Sequence, residues 1–398
     1  MVRHVLVWLH RWAGLLMTVF LILVGLTGSL LAFKIDLERL ICPQIYATPK
    51  PSVPQLDLAT LAERAQTLVP HGEVVGVNLF EPGHASVSFE ARKNPATGRP
   101  YELNFTELFL DPWSGKELGR RRYGDISQGL INLMPFIYNL HVTLLLGTPG
   151  LWTLGIVALV WTVDCFIGFY LTLPVSVGSF WRRWQPAWLV KWKASALRVN
   201  FDLHRAGGLW LWIILLVFAW SSVMLNLRPV YDRVTGALFD YQTTTYPTNP
   251  QPNEHPRLDF RAALSIGERL MAEQATKYHF SVQYPTLLSR FGGFYWYYVK
   301  SSRDIRGLGE TIIAFDPDTG EFKALILPPG QRSGNIVTDW LDALHMADVF
   351  GLPYRIFVCV LGIVITMLSV TGVYIWWNKR AARRFRGQRR RVVISGAN

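Results

Sequence analysis

Four long apolar stretches constrain the fold of this 398-residue chain more than any other feature. They cover residues 12–33, 150–173, 207–227 and 354–377. Each is near or above the roughly 20 residues that a helix needs to cross about 30 Å of hydrocarbon. Backbone N–H and C=O groups cannot bond to water in the bilayer core. Such stretches therefore form helices, in which these groups bond to each other. The sequence therefore predicts four transmembrane helices.

Basic residues cluster on one side of these predicted spans. Arg3 precedes the first span, several lysines and arginines lie within 182–198, and a run from Lys379 to Arg391 follows the fourth. Cytoplasmic loops carry such an excess, so we expect both termini in the cytoplasm and the first span to be an uncleaved anchor. The net charge of +12 belongs mainly to this side. We interpret it as contact with anionic lipid of the bilayer, and we expect no nucleic-acid partner.

This topology divides the chain into eight segments. They are transmembrane helix 1 (1–33), a first outer domain (34–130), a juxtamembrane helix with transmembrane helix 2 (131–174), a cytoplasmic loop (175–203), transmembrane helix 3 (204–227), a second outer domain (228–334), a juxtamembrane helix with transmembrane helix 4 (335–377) and a basic cytoplasmic tail (378–398). Each outer segment has a helical pattern followed by short alternating runs, which is typical of an α+β domain.

The two halves of the chain carry the same motifs in the same order, which indicates an internal duplication. The matched pairs are His10-Arg11 with His204-Arg205, Asp111-Pro112-Trp113-Ser114-Gly115 with Asp316-Pro317-Asp318-Thr319-Gly320, His141 with His345, Gly147 with Gly351, and Pro149 with Pro353. The glycines and prolines predict a helix break after each outer histidine.

The repeated histidines indicate a redox cofactor. With the predicted topology, His10 and His204 lie at the cytoplasmic ends of spans, whereas His141 and His345 lie on the outer side. Two neutral imidazoles from two helices suit a six-coordinate haem iron. We therefore predict two b-type haems with bis-histidine ligation, one for each pair.

Other metal sites fit the pattern less well. Zinc or copper needs three or four converging ligands, and no cysteine or carboxylate recurs beside the histidines in both halves. Met346 is a conceivable axial ligand, but it is adjacent to His345 and points elsewhere on a helix. Arg11 and Arg205 follow two of the histidines directly, and we expect them to neutralise haem propionates or lipid phosphates.

Several residues receive a structural interpretation. His4, His71, His84, His255 and His279 have no counterpart in the other half, and we expect them on the surface. The aromatic run within 284–298 is expected mainly to pack in the second outer domain, although one side of it is a candidate docking surface.

With these motifs, and with Gly25-Leu26-Thr27-Gly28 and Thr371-Gly372-Val373-Tyr374, the chain resembles the PepSY-associated transmembrane family of bacterial iron-regulated membrane proteins. It is especially similar to the family's siderophore reductases, such as ferrioxamine reductase. The resemblance implies a four-span inner-membrane protein with two periplasmic PepSY-like domains. It also implies that His10, His204, His141 and His345 are haem ligands.

The activity implied by the resemblance is reduction of ferric iron in a hydroxamate siderophore on the periplasmic side, with release of ferrous iron. No catalytic side chain is required, because haem supplies the redox chemistry. The electron donor would be a quinol or a cytoplasmic reductase, since the chain has no GxGxxG or flavin fingerprint. Two alternatives stay open: a quinol-linked cytochrome b for another periplasmic acceptor, and a non-redox membrane regulator of the PepSY type.

Overall fold

A computed structural model shows two compact units. The helical unit comprises residues 1–32, 140–233 and 352–398, and the sheet unit comprises 33–139 and 234–351. The structure describes residues 1–81, 83–243, 246–251, 253, 256–307 and 309–395, with side chains described to Ala382.

The α-helices are α1 (Val2–Leu31), α2 (Lys34–Ile41), α3 (Leu58–Leu68), α4 (Leu133–Thr143), α5 (Thr148–Thr172), α6 (Phe180–Trp184), α7 (Ala196–Trp210), α8 (Trp212–Asn226), α9 (Arg228–Leu238), α10 (Phe260–Tyr278), α11 (Ser333–His345) and α12 (Gly351–Ser395). The strands are β1 (Gly72–Asn78), β2 (Ala85–Ala91), β3 (Glu107–Leu110), β4 (Glu117–Arg121), β5 (Val282–Phe291), β6 (Phe294–Ser301), β7 (Thr311–Phe315) and β8 (Phe322–Ile326).

Three described helices are long and apolar enough to cross a membrane by themselves: α1, α5 and the part of α12 over Gly351–Ala382. They correspond to predicted spans one, two and four. The helix of the fourth predicted span continues beyond residue 377 into the basic segment that follows. This segment contains no proline that would end the helix.

The predicted third transmembrane helix, 204–227, is instead a bent pair. Helix α7 ends at Trp210, α8 begins at Trp212, and their axes differ by 71°. Adjacent Gly207 and Gly208 lie just before the break, and glycine pairs are a common cause of sharp kinks. Because α7 begins at Ala196, His204 lies inside this helix, whereas the sequence predicts it at the start of the span.

The two predicted outer domains are joined in one sheet, which corrects the prediction of two separate domains. All eight strands form a single antiparallel sheet in the order β4-β3-β2-β1-β5-β6-β7-β8. Strand β1 pairs with β5 through Gly76 and Ser289, Val77 and Leu288, and Asn78 and Leu287. This pairing covers two strand edges that separate domains would leave open.

Helices α3 and α10 pack on one face of this sheet and share a continuous core. The core includes Leu61, Val87, Leu264, Tyr295 and Ile313, all buried. Each helix begins at an aspartate that caps it: the side chain of Asp57 accepts from the Thr60 N–H, and that of Asp259 from the Ala262 N–H.

The two predicted Asp-Pro-x-Ser/Thr-Gly turns are confirmed. Asp111 Oδ1 accepts the N–H of Trp113 at 2.8 Å, and Asp316 Oδ1 accepts the N–H of Asp318 at 2.9 Å. Each turn ends at a glycine with positive φ, 68° at Gly115 and 72° at Gly320.

The predicted break after each outer histidine is also observed. Helix α4 ends at Thr143 and α5 begins at Thr148, while α11 ends at His345 and α12 begins at Gly351. Gly147 and Gly351 have φ of 60° and 65°, which a side chain rarely tolerates.

The aromatic run packs on both faces of the sheet. Tyr295 and Tyr297 belong to the helix-covered core, and Phe294 and Trp296 belong to a second cluster with Ile312. All four aromatic side chains are buried. The packing interpretation is therefore confirmed for these four residues, whereas Tyr284 and Phe291 in the same run are exposed.

Candidate functional site

Two of the predicted ligands meet within the helical unit. His10 on α1 and His204 on α7 have ring centroids 6.1 Å apart, with their planes at 62°. A metal held by one nitrogen of each imidazole at about 2 Å separates the ring centroids by about 6 Å. The spacing of this pair is therefore compatible with ligation of one metal ion by both imidazoles.

The His10 ring is held by two residues one turn apart on α5. Its Nδ1 lies 2.9 Å from Asp164 Oδ1. Its Cε1 would lie 3.5 Å from a Cβ placed at Gly168, so the glycine leaves room for the ring. Residues four apart share one face of a helix, and α5 thus presents one side of a socket to His10.

The His204 ring is held in the same way by α12, through uncharged oxygens. Its Nδ1 lies 3.0 Å from the carbonyl oxygen of Leu368 and 3.2 Å from Thr371 Oγ1. A carbonyl can only accept, so Nδ1 carries the proton and Nε2 keeps its lone pair. Gly372 gives the ring space, since a Cβ there would lie 3.3 Å from Cε1.

A cavity of about 880 Å³ surrounds the two histidines. This volume is within the range of about 300–1,000 Å³ that is typical of small-molecule and cofactor sites. Its wall combines aromatic and basic side chains: Trp12, Trp161, Trp212, Trp376, Arg3, Arg11, Arg205, Lys379 and Arg380. Such a cavity suits a flat apolar ligand with anionic groups at one edge.

The two predicted anion-binding arginines differ in their contacts. The Arg205 guanidinium donates to Asp202 Oδ1 at 2.9 Å, and the Asp202 carboxylate is fully buried. Arg11 is half-buried and, among the described residues, makes no hydrogen bond or ion pair. Arg11 is therefore the more available of the two. Lys379 and Arg380 line the same cavity. The sequence did not single them out, because they belong to a long run of basic residues.

His141, near the end of α4, belongs to the helical unit and has a similar local setting. Its Nδ1 lies 2.9 Å from Thr27 Oγ1, and that hydroxyl donates to the carbonyl oxygen of Leu23 at 2.7 Å. Thr27 therefore accepts from Nδ1–H, so Nε2 is the nitrogen of His141 that keeps its lone pair. A Cβ at Gly28 would lie 3.2 Å from the ring.

His345 is the last residue of α11 and belongs to the sheet unit. Burial lowers the pKa of His345 to about 4, so its imidazole is neutral at physiological pH. Neutral imidazole is the form that binds a metal.

His84 is buried, which corrects its assignment to the surface. Its ring lies 4.5 Å from that of Tyr46 and 5.0 Å from that of Phe109, and burial lowers its pKa to about 4. The residue precedes β2 and has no periodic apolar signal of its own, so the sequence offered no sign of this burial. His4, His71 and His279 are exposed as expected, and His255 lies outside the described residues.

Within the described ranges, no three or more histidine, cysteine, aspartate or glutamate residues form a group suited to a metal ion. The His10 and His204 pair offers two nitrogen ligands, whereas a protein zinc site needs three or four. The donor set therefore fits a planar iron macrocycle that brings its own equatorial nitrogens.

The family described as "PepSY-associated TM region" matches residues 7–379, nearly the whole chain. No curated protein matches the chain.

Proposed function

Because this chain is a membrane protein that belongs to the PepSY-associated transmembrane family, we propose that it is a haem-dependent reductase of the bacterial inner membrane. It would pass electrons to the periplasmic side and reduce ferric iron in hydroxamate siderophores, as its resemblance to the siderophore reductases implies. The observation that carries this proposal is the 6.1 Å separation of the His10 and His204 rings.

The residues around that pair support haem ligation in three ways. Asp164 and the Leu368 carbonyl engage the two Nδ1 atoms, so both Nε2 atoms remain for a metal. The tryptophan side chains in the cavity wall offer apolar aromatic surface to the flat face of a porphyrin. Arg11 is free to pair with an anionic edge group, as propionates are.

His141 would hold a second haem together with His345, as the repeated motifs predict. Thr27 fixes the orientation and the tautomer of His141. Bound at these two places, haem would supply one-electron redox chemistry on either side of the membrane.

The substrate chemistry needs no further catalytic group. Hydroxamate oxygens bind Fe³⁺ tightly because it is a hard cation, and they bind Fe²⁺ much less tightly, so one electron converts the chelate to a form that releases its metal. The electron would come from a quinol or a cytoplasmic reductase. The basic segments at 182–198 and 379–391 would face the cytoplasm, with both termini. The repeated motifs would reflect an internal duplication, with a PepSY-like fold in each outer half.

Absorption spectroscopy tests the cofactor. Protein purified from haem-replete cells is expected to show the Soret band and the sharp reduced α and β bands of low-spin bis-histidine haem. A pyridine haemochrome assay should give two b-type haems per chain. Protein without these bands would be a non-redox member of the family, and the proposal would be rejected.

Stopped-flow mixing tests the substrate. Dithionite-reduced protein, freed of excess reductant, is mixed with a ferric hydroxamate siderophore, and haem reoxidation is followed together with ferrous iron captured by ferrozine. We expect a rate that rises with siderophore concentration. The gallium complex of the same siderophore is the control, because Ga³⁺ has no accessible divalent state. Equal reoxidation with both complexes would instead favour a cytochrome b for another acceptor.

A further inference from the structure

Asp164 is a carboxylate buried in the middle of α5, a helix that is apolar enough to cross a membrane. It is 8% exposed, and its Oδ1 lies 2.9 Å from His10 Nδ1. Within the part of the chain that the structure describes, His10 is its only side-chain partner. A carboxylate at such a depth is costly, so ionisable residues inside spans usually serve a function.

The two halves of the His10 and His204 site differ in the residue that corresponds to Asp164. Asp164 is four residues before Gly168 on α5, and Leu368 is four residues before Gly372 on α12. Both glycines lie against the Cε1 atom of a histidine. Where α5 offers His10 a carboxylate, α12 offers His204 only the backbone carbonyl of Leu368 and the hydroxyl of Thr371. One imidazole of the pair is therefore supported by a charge, and the other is not.

We propose that Asp164 is a positioning residue that lowers the reduction potential of iron held between His10 and His204. This inference rests on the proposed haem function. A carboxylate that accepts Nδ1–H makes the imidazole a stronger electron donor to the metal. Its negative charge also favours the ferric state, which carries one more positive charge than the ferrous state, and burial strengthens this effect because the local dielectric constant is low.

A low potential at this site has a functional consequence. An electron held at a low potential is transferred readily to an acceptor of higher potential. The same carboxylate that orients His10 would therefore make the His10 and His204 site a stronger reductant than two histidines with uncharged partners.

The test is a potentiometric titration of the full-length protein in detergent, followed at the haem α band. In Asp164→Asn the side chain keeps an oxygen that accepts from His10 Nδ1 but loses the charge. We expect one of the two midpoint potentials to rise, while the other potential, the haem content and the low-spin spectrum stay unchanged. Thr162→Val is the matched control, because the Thr162 hydroxyl donates to the Ala158 carbonyl of its own helix. It should leave both potentials as they are.

A second variant places a carboxylate in the other half. Leu368→Asp puts the acidic residue at the position on α12 that corresponds to Asp164, and it should lower the potential of the same haem. The shifted component must also be the one that is missing in His10→Ala.

Several results would overturn the inference. The first is an Asp164→Asn protein with full haem content and unchanged potentials. The second is a shift in potential that is confined to the haem that persists in His10→Ala. The third is loss of haem in both Asp164→Asn and Leu368→Asp, which would indicate a purely structural role. Wild-type protein that binds no haem would reject the proposed function itself, so the two failures are distinguishable.

Discussion

The backbones of Gly25 on α1 and Gly362 on α12 are in direct contact. A Cβ at Gly25 would lie 2.7 Å from the carbonyl oxygen of Gly362 and 2.8 Å from Thr366 Oγ1. Close by, Ser29 Oγ donates to the carbonyl oxygen of Cys359 at 2.8 Å. Small residues permit such close approach of membrane helices and allow interhelical hydrogen bonds to form.

Replacement of Gly25 by alanine should destabilise the helical unit, because the added methyl group meets backbone atoms that cannot rotate away. Overpacking of this kind costs about 1–3 kcal/mol. We expect a lower melting temperature of the detergent-solubilised protein. Gly236→Ala, on α9, is the control, since the nearest atom to its Cβ position lies at an ordinary contact distance of 3.9 Å. Equal melting temperatures for the two variants would show that α1 and α12 separate without cost.

The histidine variants should fall into two classes. His10→Ala and His204→Ala should lose the same haem, because the centroids of the two rings are only 6.1 Å apart, and His141→Ala and His345→Ala should lose the other. Reduced-minus-oxidised spectra combined with a haemochrome assay should show about half of the wild-type haem in each variant. His4→Ala should retain both haems, because His4 is exposed on α1. If His10→Ala and His141→Ala deplete the same haem, the proposed pairing is wrong.

Thr27→Val should weaken the haem site at His141. Valine has nearly the shape of threonine but cannot accept from His141 Nδ1–H, and loss of a hydrogen bond that orients a ligating histidine typically reduces metal affinity about 10–100-fold. The change is measured as haem lost from the purified protein during gel filtration. Thr162→Val provides the comparison, because the Thr162 hydroxyl donates to the Ala158 carbonyl of its own helix. Haem loss that is no greater in Thr27→Val than in Thr162→Val would contradict a role for Thr27.

Glu310 should make the stability of the sheet unit depend on pH. Burial raises the pKa of Glu310 from its ordinary value of 4.5 to about 7, although Arg306 lowers it. The Arg306 guanidinium also pairs with Asp342 at 2.7 Å and Asp348 at 3.3 Å, so one cation serves three carboxylates. Between pH 4.5 and about 7 the folded state holds a proton that the unfolded state has lost, so this contribution to stability decreases as pH rises.

Glu310→Gln should remove this pH dependence. The melting temperatures of wild type and variant are compared from pH 4.5 to 7.5, in about half-unit steps, and their difference isolates the contribution of this one group. The full effect corresponds to about 3 kcal/mol at about 1.4 kcal/mol per pKa unit. A difference that is constant across this range would show that Glu310 is ionised throughout.

The sequence predicted the elements whose signals are local or repeated. The apolar length of α1, α5 and α12, the helix breaks at Gly147 and Gly351, and the two aspartate turns all follow from residue type and spacing. The approach of His10 to His204 was predictable because the same motif stands at both positions.

Features without a repeated signal were missed. Asp164 has Leu368 as its counterpart, so comparison of the halves did not select it, although a carboxylate within the apolar stretch 150–173 is itself a signal of function. The bend between α7 and α8 lies within an apolar stretch that has the hydropathy of an ordinary span. The pairing of β1 with β5 joins residues more than 200 positions apart, and no local pattern specifies such a partner.

That pairing determines how the sheet unit can be studied. A fragment with only residues 34–130 would expose the main-chain N–H and C=O groups of β1 to solvent. It would also expose the side of α3 that contacts α10. An unpaired, partly apolar edge of this kind invites self-association into larger aggregates. A soluble version for crystallisation or titration should therefore carry residues 33–139 and 234–351 together, linked or co-expressed.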